Sequence, residues 1–183
     1  VSMLNTRPGL SAKNILAACD DSLRRLQTDY IDLYQLHWPD RAVPWGANPV
    51  IHRQENYEGP ENSMLEALET LQDFVKAGKI RHIGLSNESA WGTMTFLNLA
   101  EKHGLPRVAS VQNAYNLLNR TYEVALAEVS MRENVGLLAF SPLAQGYLTG
   151  KYLNGARPAG ARTTLFNRGH RYQTPGAEEA ISQ

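Results

Sequence analysis

Four short, mainly apolar runs in this chain each end on a polar residue, and stretches with helical periodicity separate them. Tyr30–Leu36 ends at His37, Ile80–Leu85 at Ser86 and Asn87, Arg107–Val111 at Gln112 and Asn113, and Val135–Phe140 at Ser141. Runs of this length, set between longer periodic segments, read as buried strands. Strands that alternate with helices build a parallel sheet with right-handed crossovers. All four polar tips then fall on one edge of the sheet, where α/β proteins place their sites. Two architectures satisfy the pattern: an open doubly wound sheet, or a (β/α)8 barrel of which four strands are one half.

Helical periodicity covers Ala12–Leu26, Met64–Ala77, Ala90–Lys102 and Thr121–Arg132. In the first segment Ile15, Cys19, Leu23 and Leu26 form one apolar stripe. Ser11 stands at its N-cap, and Leu10 with Ile15 has the spacing of a hydrophobic staple. In the second, Leu65, Leu68, Leu71 and Val75 face inward. Ser63 and Glu66 have capping-box spacing there, and Gly78 supplies the C′ position. The third stops at Gly104. The predicted strands are Tyr30–Leu36, Ile80–Leu85, Val108–Gln112 and Val135–Phe140. Two long connections remain. Trp38 to Pro60 is rich in proline and aromatic residues and reads as a functional loop or a disordered one. Ser141 to Gly176 is rich in glycine, proline and arginine and carries Lys151, Arg157, Arg162, Arg168 and Arg171.

Charge narrows the function. Eighteen basic residues balance eighteen acidic ones over 183 residues, and no basic block is present to track a phosphate backbone, so nucleic acid is not an expected partner. The longest apolar runs fall far short of a membrane span. With no signal peptide ahead of the first helix, a cytoplasmic protein is expected. The single cysteine, Cys19, lies on an apolar helix face and reads as a small buried hydrophobe. The histidines show no metal-ligand spacing.

The chemistry must then come from the strand tips. His37, followed at once by Trp38-Pro39, is held at the sheet rim and is either a structural hydrogen-bonder or a site residue. Ser86, Asn87, Gln112 and Asn113 are either caps and turn formers, or carboxamide and hydroxyl partners for a group such as a nicotinamide amide. Phe140 is either a ring-stacking surface or core. Gly146-Tyr147-Leu148-Thr149-Gly150-Lys151 is one spacer short of a phosphate loop, and Tyr152 stands where that motif needs Ser or Thr. The segment either offers backbone N–H groups and a cation to a pyrophosphate or is a plain turn.

Four ordered motifs resemble the aldo-keto reductases. Leu26-Gln27-Thr28-Asp29-Tyr30-Ile31-Asp32-Leu33-Tyr34-Gln35-Leu36-His37-Trp38-Pro39 is similar to their fourth-strand segment. Gly78-Lys79-Ile80-Arg81-His82-Ile83-Gly84-Leu85-Ser86-Asn87 is similar to the fifth. Val111-Gln112-Asn113 with Tyr115-Asn116 is similar to the sixth. Phe140-Ser141-Pro142-Leu143-Ala144-Gln145-Gly146 with Leu148-Thr149-Gly150-Lys151-Tyr152 is similar to the seventh strand and its cofactor loop. Leu118-Asn119-Arg120 and Tyr152-Leu153-Asn154-Gly155-Ala156 bring the likeness closest to the Tas-type NADP(H)-dependent branch.

The resemblance implies a (β/α)8 barrel, hydride transfer from NADP(H), and a small aldehyde or ketone as substrate. It implies that His37 hydrogen-bonds the substrate carbonyl and that Ser86, Asn87 and Gln112 hold the nicotinamide carboxamide. Phe140 would stack under the ring. Ser141, Pro142, Leu143, Gln145, Gly146, Leu148, Gly150 and Lys151 would wrap the pyrophosphate, with Arg162 a further contact. The 38–60 segment would form the substrate-pocket loop and the 141–176 segment the cofactor loop. Potassium-channel β subunits share the fold, so a cofactor-binding regulatory module is the alternative.

The resemblance also implies that residues 1–183 are one partial domain, an internal fragment covering strands four to seven. Val1-Ser2-Met3-Leu4 reads like the end of a strand, and Ala177–Gln183 like a helix that has only begun. The family's catalytic Asp, Tyr and Lys match nothing here. A half barrel with open sheet edges is expected to be marginal or self-associating. Lacking its general acid, which supplies roughly 10²–10⁴-fold in rate, the 183-residue polypeptide alone is expected to show no NADPH-dependent carbonyl reduction. Following NADPH absorbance over the purified chain checks this, and measurable turnover refutes it.

Overall fold

The computed structural model describes residues 9–43, 63–166 and 170–182. Its first helix, α1 (Ala12–Leu26), covers the span that the periodicity predicts. Ile15 and Cys19 are fully buried, and Leu10 packs into the same core as Ile15, as the staple spacing requires. Burial pushes the Cys19 thiol up from its ordinary value, which suits packing rather than reactivity. Two expectations fail at the ends. Ser11 occupies the N-cap position, but its hydroxyl makes no cap hydrogen bond; the Ala12 N–H points instead to Glu66 Oε1 at 3.4 Å. Leu26 is 63% exposed, because Gln27 turns left-handed (φ 56°) and the helix ends where the surface beneath its stripe ends.

The next units follow the same logic. β1 (Ile31–Leu36) leads through the long connection to α2 (Met64–Lys76). Residues 44–60 of that connection lie outside the described residues. The Ser63 hydroxyl accepts from the Glu66 N–H at 3.3 Å, and Gly78 takes the left-handed conformation (φ +71°) that ends the turn. Leu68 and Leu71 are fully buried, with Phe74 and Ala67 beside them; Leu65 is half-buried, and Val75 packs on the core edge. β2 (Ile80–Ser86) and α3 (Ala90–His103) come next. Ser89 caps α3 by accepting from the Gly92 N–H at 3.1 Å, and left-handed Gly104 stops it.

β3 (Val108–Ala114) runs two residues past its predicted end. The helix expected over Thr121–Arg132 is broken. A 3-10 turn covers Thr121–Val124, Ala125 sits at φ −146°, and α4 runs only from Leu126 to Glu133. Asn119 Oδ1 caps the start of the turn, taking both the Thr121 N–H (3.2 Å) and the Thr121 hydroxyl (2.7 Å); the break itself falls at Ala125. β4 (Gly136–Phe140) completes the sheet.

All four strands pair in parallel in the order β1-β2-β3-β4. Leu36, Leu85, Val111 and Leu137 lie in one register row. They belong to, or pack against, the main core, together with side chains of α1 to α4. Neighbouring helices pack in chain order, α1 on α2, α2 on α3 and α3 on α4. Sequential order with one helical layer decides between the two architectures. A doubly wound sheet reverses its strand order and covers both faces, whereas a barrel arc does neither. The opposite face carries the row Gln35, Gly84, Ser110 and Gly136.

After β4 the expectation of one long loop needs correction. The segment folds into 3-10 turns at Ala144–Thr149, Leu153–Gly155 and His170–Tyr172, with α5 (Arg162–Phe166) between the last two and α6 (Ala177–Ser182) following. Ala144, Tyr147, Tyr152 and Tyr172 form a second small core. Three tyrosines at irregular spacing carry no periodic signal, so the sequence concealed this cluster. Arg168 and Val1–Leu4 lie outside the described residues. No helix of the described residues is long and apolar enough to cross a membrane.

Leu68 packs fully buried between α2 and the sheet. Leu68→Ala is expected to cost about 2–5 kcal/mol through lost burial and a residual cavity. A lower urea midpoint at unchanged m-value would confirm it.

Candidate active site

The carboxyl ends of the strands bring the predicted tips together. His37 follows β1 directly, half-buried, with its imidazole stacked on Trp38 (ring centroids 5.1 Å apart, planes 20° apart). Asn87 follows β2 in the left-handed conformation, φ +55°, which asparagine tolerates better than most residues. Its Nδ2 donates to the His37 carbonyl oxygen at 2.9 Å and to Ser86 Oγ at 3.1 Å. The Gln112 carbonyl accepts twice, from the Asn87 N–H (3.0 Å) and from Ser86 Oγ (2.9 Å). One network therefore joins the ends of β1, β2 and β3.

The open alternatives divide residue by residue. Neither Ser86 nor Asn87 caps the following helix, since Ser89 does. Asn113 is structural: its Nδ2 donates to the Glu88 carbonyl at 2.8 Å. The Gln112 side chain lies on the opposite face from the core, where Oε1 accepts from Gln35 Nε2 at 2.7 Å. Phe140 pairs with Ala114 at the end of β4 and is half-exposed. It lies two residues beyond Leu138, the register partner of Gln112, and so on the same face. It belongs to neither hydrophobic cluster of the described residues.

The segment after β4 is no plain turn. Ser141 (φ +54°), Ala144 (+48°), Gln145 (+58°) and Gly146 (+98°) are all left-handed. For the three that are not glycine, this is strain that surrounding structure must hold. The small tyrosine core supplies that hold, and Asn116 Nδ2 adds bonds to the Ser141 carbonyl (2.9 Å) and the Tyr172 hydroxyl (3.0 Å). Gln145 Oε1 is buried without a hydrogen-bond partner among the described residues. Lys151 folds back across Gly146: a Cβ there would lie 2.9 Å from Lys151 Cε and 3.0 Å from Nζ. Gly146 thus answers two demands at once, the φ and the space. Leu148 packs against the small core, and Pro142 and Leu143 are exposed. Gly150 (φ +75°) closes the turn. Exposed Arg162 opens α5, which is tied to Tyr152, the neighbour of Lys151, by a Thr163 N–H bond to its hydroxyl (3.3 Å).

Four residues escape the sequence reading. Gln35 lies inside a run that reads as an apolar strand. Asn116 stands within a motif, and its signal is that an asparagine in a tight turn bonds the backbone. Arg41 and Glu88 form a buried ion pair whose 47-residue separation left no local signal. Among the described residues no three His, Cys, Asp or Glu side chains gather as a metal would need.

Comparison with known proteins agrees with the geometry. Residues 4–182 match the aldo/keto reductase family. The chain is 53% identical over 173 residues to Protein tas of Escherichia coli, covering 94% of this chain and 49% of that protein. It is 51% identical over 157 residues to an aldo-keto reductase of Babesia bovis, covering 81% of this chain and 55% of that one. It is 36% identical over 159 residues to versiconal hemiacetal acetate reductase of Aspergillus parasiticus, covering 87% and 38% respectively. The chain thus spans about half the length of the first of these relatives.

Burial holds the His37 imidazole below its ordinary value of 6.5, which keeps the ring neutral at neutral pH. Well above 6.5 neither the folded nor the unfolded state is protonated there, and stability is unaffected. As pH falls below 6.5 the unfolded chain takes up the proton first, so stability declines until the folded value is passed. Denaturant midpoints across this range are expected to fall more steeply for the wild type than for His37→Gln; parallel curves would refute the assignment.

Proposed function

The chain belongs to the aldo/keto reductase family, and from that premise we propose that the intact protein carrying it reduces aldehydes or ketones to alcohols with NADPH. The observation that carries the reading is the hydrogen-bonded edge joining His37, Asn87, Ser86 and Gln112, beside a strained turn crossed by a lysine. Amide and hydroxyl groups of this kind match the donors and acceptors of a nicotinamide carboxamide. Left-handed backbone with a nearby cation matches a pyrophosphate.

Ser86, Asn87 and Gln112 would hold the carboxamide and fix which ring face is presented. Phe140 would lie against the ring. Ser141 to Gly146, with Leu148 and Gly150, would wrap the pyrophosphate, while Lys151 and Arg162 would offset its charge. NADPH supplies the hydride. Neutral His37 would donate an imidazole N–H to the substrate carbonyl oxygen, orienting it and stabilising negative charge as that charge develops. The family's proton donor is a tyrosine that none of the motifs matched here supplies.

In the intact protein, Gln112→Ala is expected to weaken NADPH binding roughly 5–10-fold, the worth of about one hydrogen bond. His37→Ala is expected to lower kcat by roughly 10²–10³-fold with NADPH affinity nearly unchanged. NADPH fluorescence titration and steady-state kinetics check both. A wild-type protein that does not bind NADPH overturns the reading.

A further inference from the structure

Four residues beyond His37, the β1 connection carries Arg41, and directly after Asn87 stands Glu88. Their side chains are 8% and 3% exposed and meet through both branches, Nη2 to Oε1 at 2.5 Å and Nη1 to Oε2 at 3.0 Å. Arg41 Nη2 also donates to Ser89 Oγ at 3.1 Å, and its guanidinium lies 5.0 Å from the centre of the Trp91 ring. Glu88 Oε1 further accepts from the Ser89 N–H at 2.7 Å, and the Glu88 carbonyl takes the Asn113 amide. Helix α3 is shaped around the pair: a Cβ on Gly92 would lie 2.2 Å from Glu88 Oε1 and 2.5 Å from Arg41 Nη2.

A buried ion pair is a poor source of net stability, because desolvation offsets most of its attraction. What it does supply is one permitted geometry. Here it spans the two connections that carry His37 and Asn87, which already touch through the Asn87 Nδ2 bond to the His37 carbonyl. We propose that Arg41 and Glu88 are a positioning pair, a strut that holds the carbonyl-binding imidazole and the carboxamide-binding amide in fixed relation. Its catalytic consequence rests on the reductase reading; its structural consequence does not.

Two variants of the intact protein test it. Glu88→Gln keeps the side chain's shape and withdraws its charge. The double variant Arg41→Met with Glu88→Leu removes both charges, a replacement that buried pairs commonly tolerate, and it carries the test if the single variant does not melt cooperatively. The structural readout is the His37 imidazole resonance by proton–nitrogen NMR, taken without cofactor. The kinetic readout is NADPH-dependent reduction of para-nitrobenzaldehyde. The strut is expected to show as shifted His37 resonances and a roughly 10²-fold loss in kcat, with KM for the aldehyde changing far less. Unchanged resonances in a cooperatively folded variant overturn the proposal, whatever the activity. Shifted resonances in a protein whose wild type neither binds NADPH nor turns over the aldehyde uphold the strut and overturn the reductase reading instead.

Discussion

Parallel strands taken in chain order leave the backbone one economical return path from the end of each strand to the start of the next: a helix laid across one face. That constraint sets nearly everything else in this chain. It stacks α1 to α4 in a single layer and concentrates the apolar residues between that layer and the sheet. It also aligns the four carboxyl ends, so residues far apart in sequence become neighbours. The register does the fine placement. Ser86 pairs with Gln112, which brings the Ser86 hydroxyl and the Asn87 N–H to one carbonyl oxygen. A slip of one residue would send the Gln112 side chain to the opposite face.

Those parts of the fold that depend on near neighbours in sequence were legible. The helical stripes, the Ser63 cap and the glycine stops at Gly78 and Gly104 are local devices, and each appears where its spacing puts it. The failures are places where something distant or irregular intervened. The expected fourth helix breaks at Ala125, whose backbone leaves the helical region. Leu26 keeps the right phase but stands exposed among the described residues. The segment after β4 looked like loop because its core consists of three tyrosines at no fixed interval.

The candidate site was readable for a topological reason: a strand's last residue announces itself by ending an apolar run. Its function was readable only as a menu of alternatives, because an amide at a strand tip can cap, brace or bind. Asn113 braces. Asn87 braces with one face of its amide and, by its left-handed backbone, presents the tip as a whole. Gln35 and the Arg41–Glu88 pair escaped notice because their partners lie dozens of residues away. Long-range polar pairing has no signature comparable to hydrophobic period.

The two hydrophobic clusters have a further implication. The main core locks sheet to helices, while the tyrosine cluster lies under the 141–151 turn and reaches the sheet through Asn116. Cooperative opening follows such divisions, each unit with its own free energy. The turn can therefore loosen and re-form while the parallel ladder stays intact. On the reductase reading, the residence time of a cofactor held by the turn would then depend on a handful of aromatic contacts, separately from the durability of the frame. Substitutions among those tyrosines could retune release while the melting temperature of the sheet stayed the same.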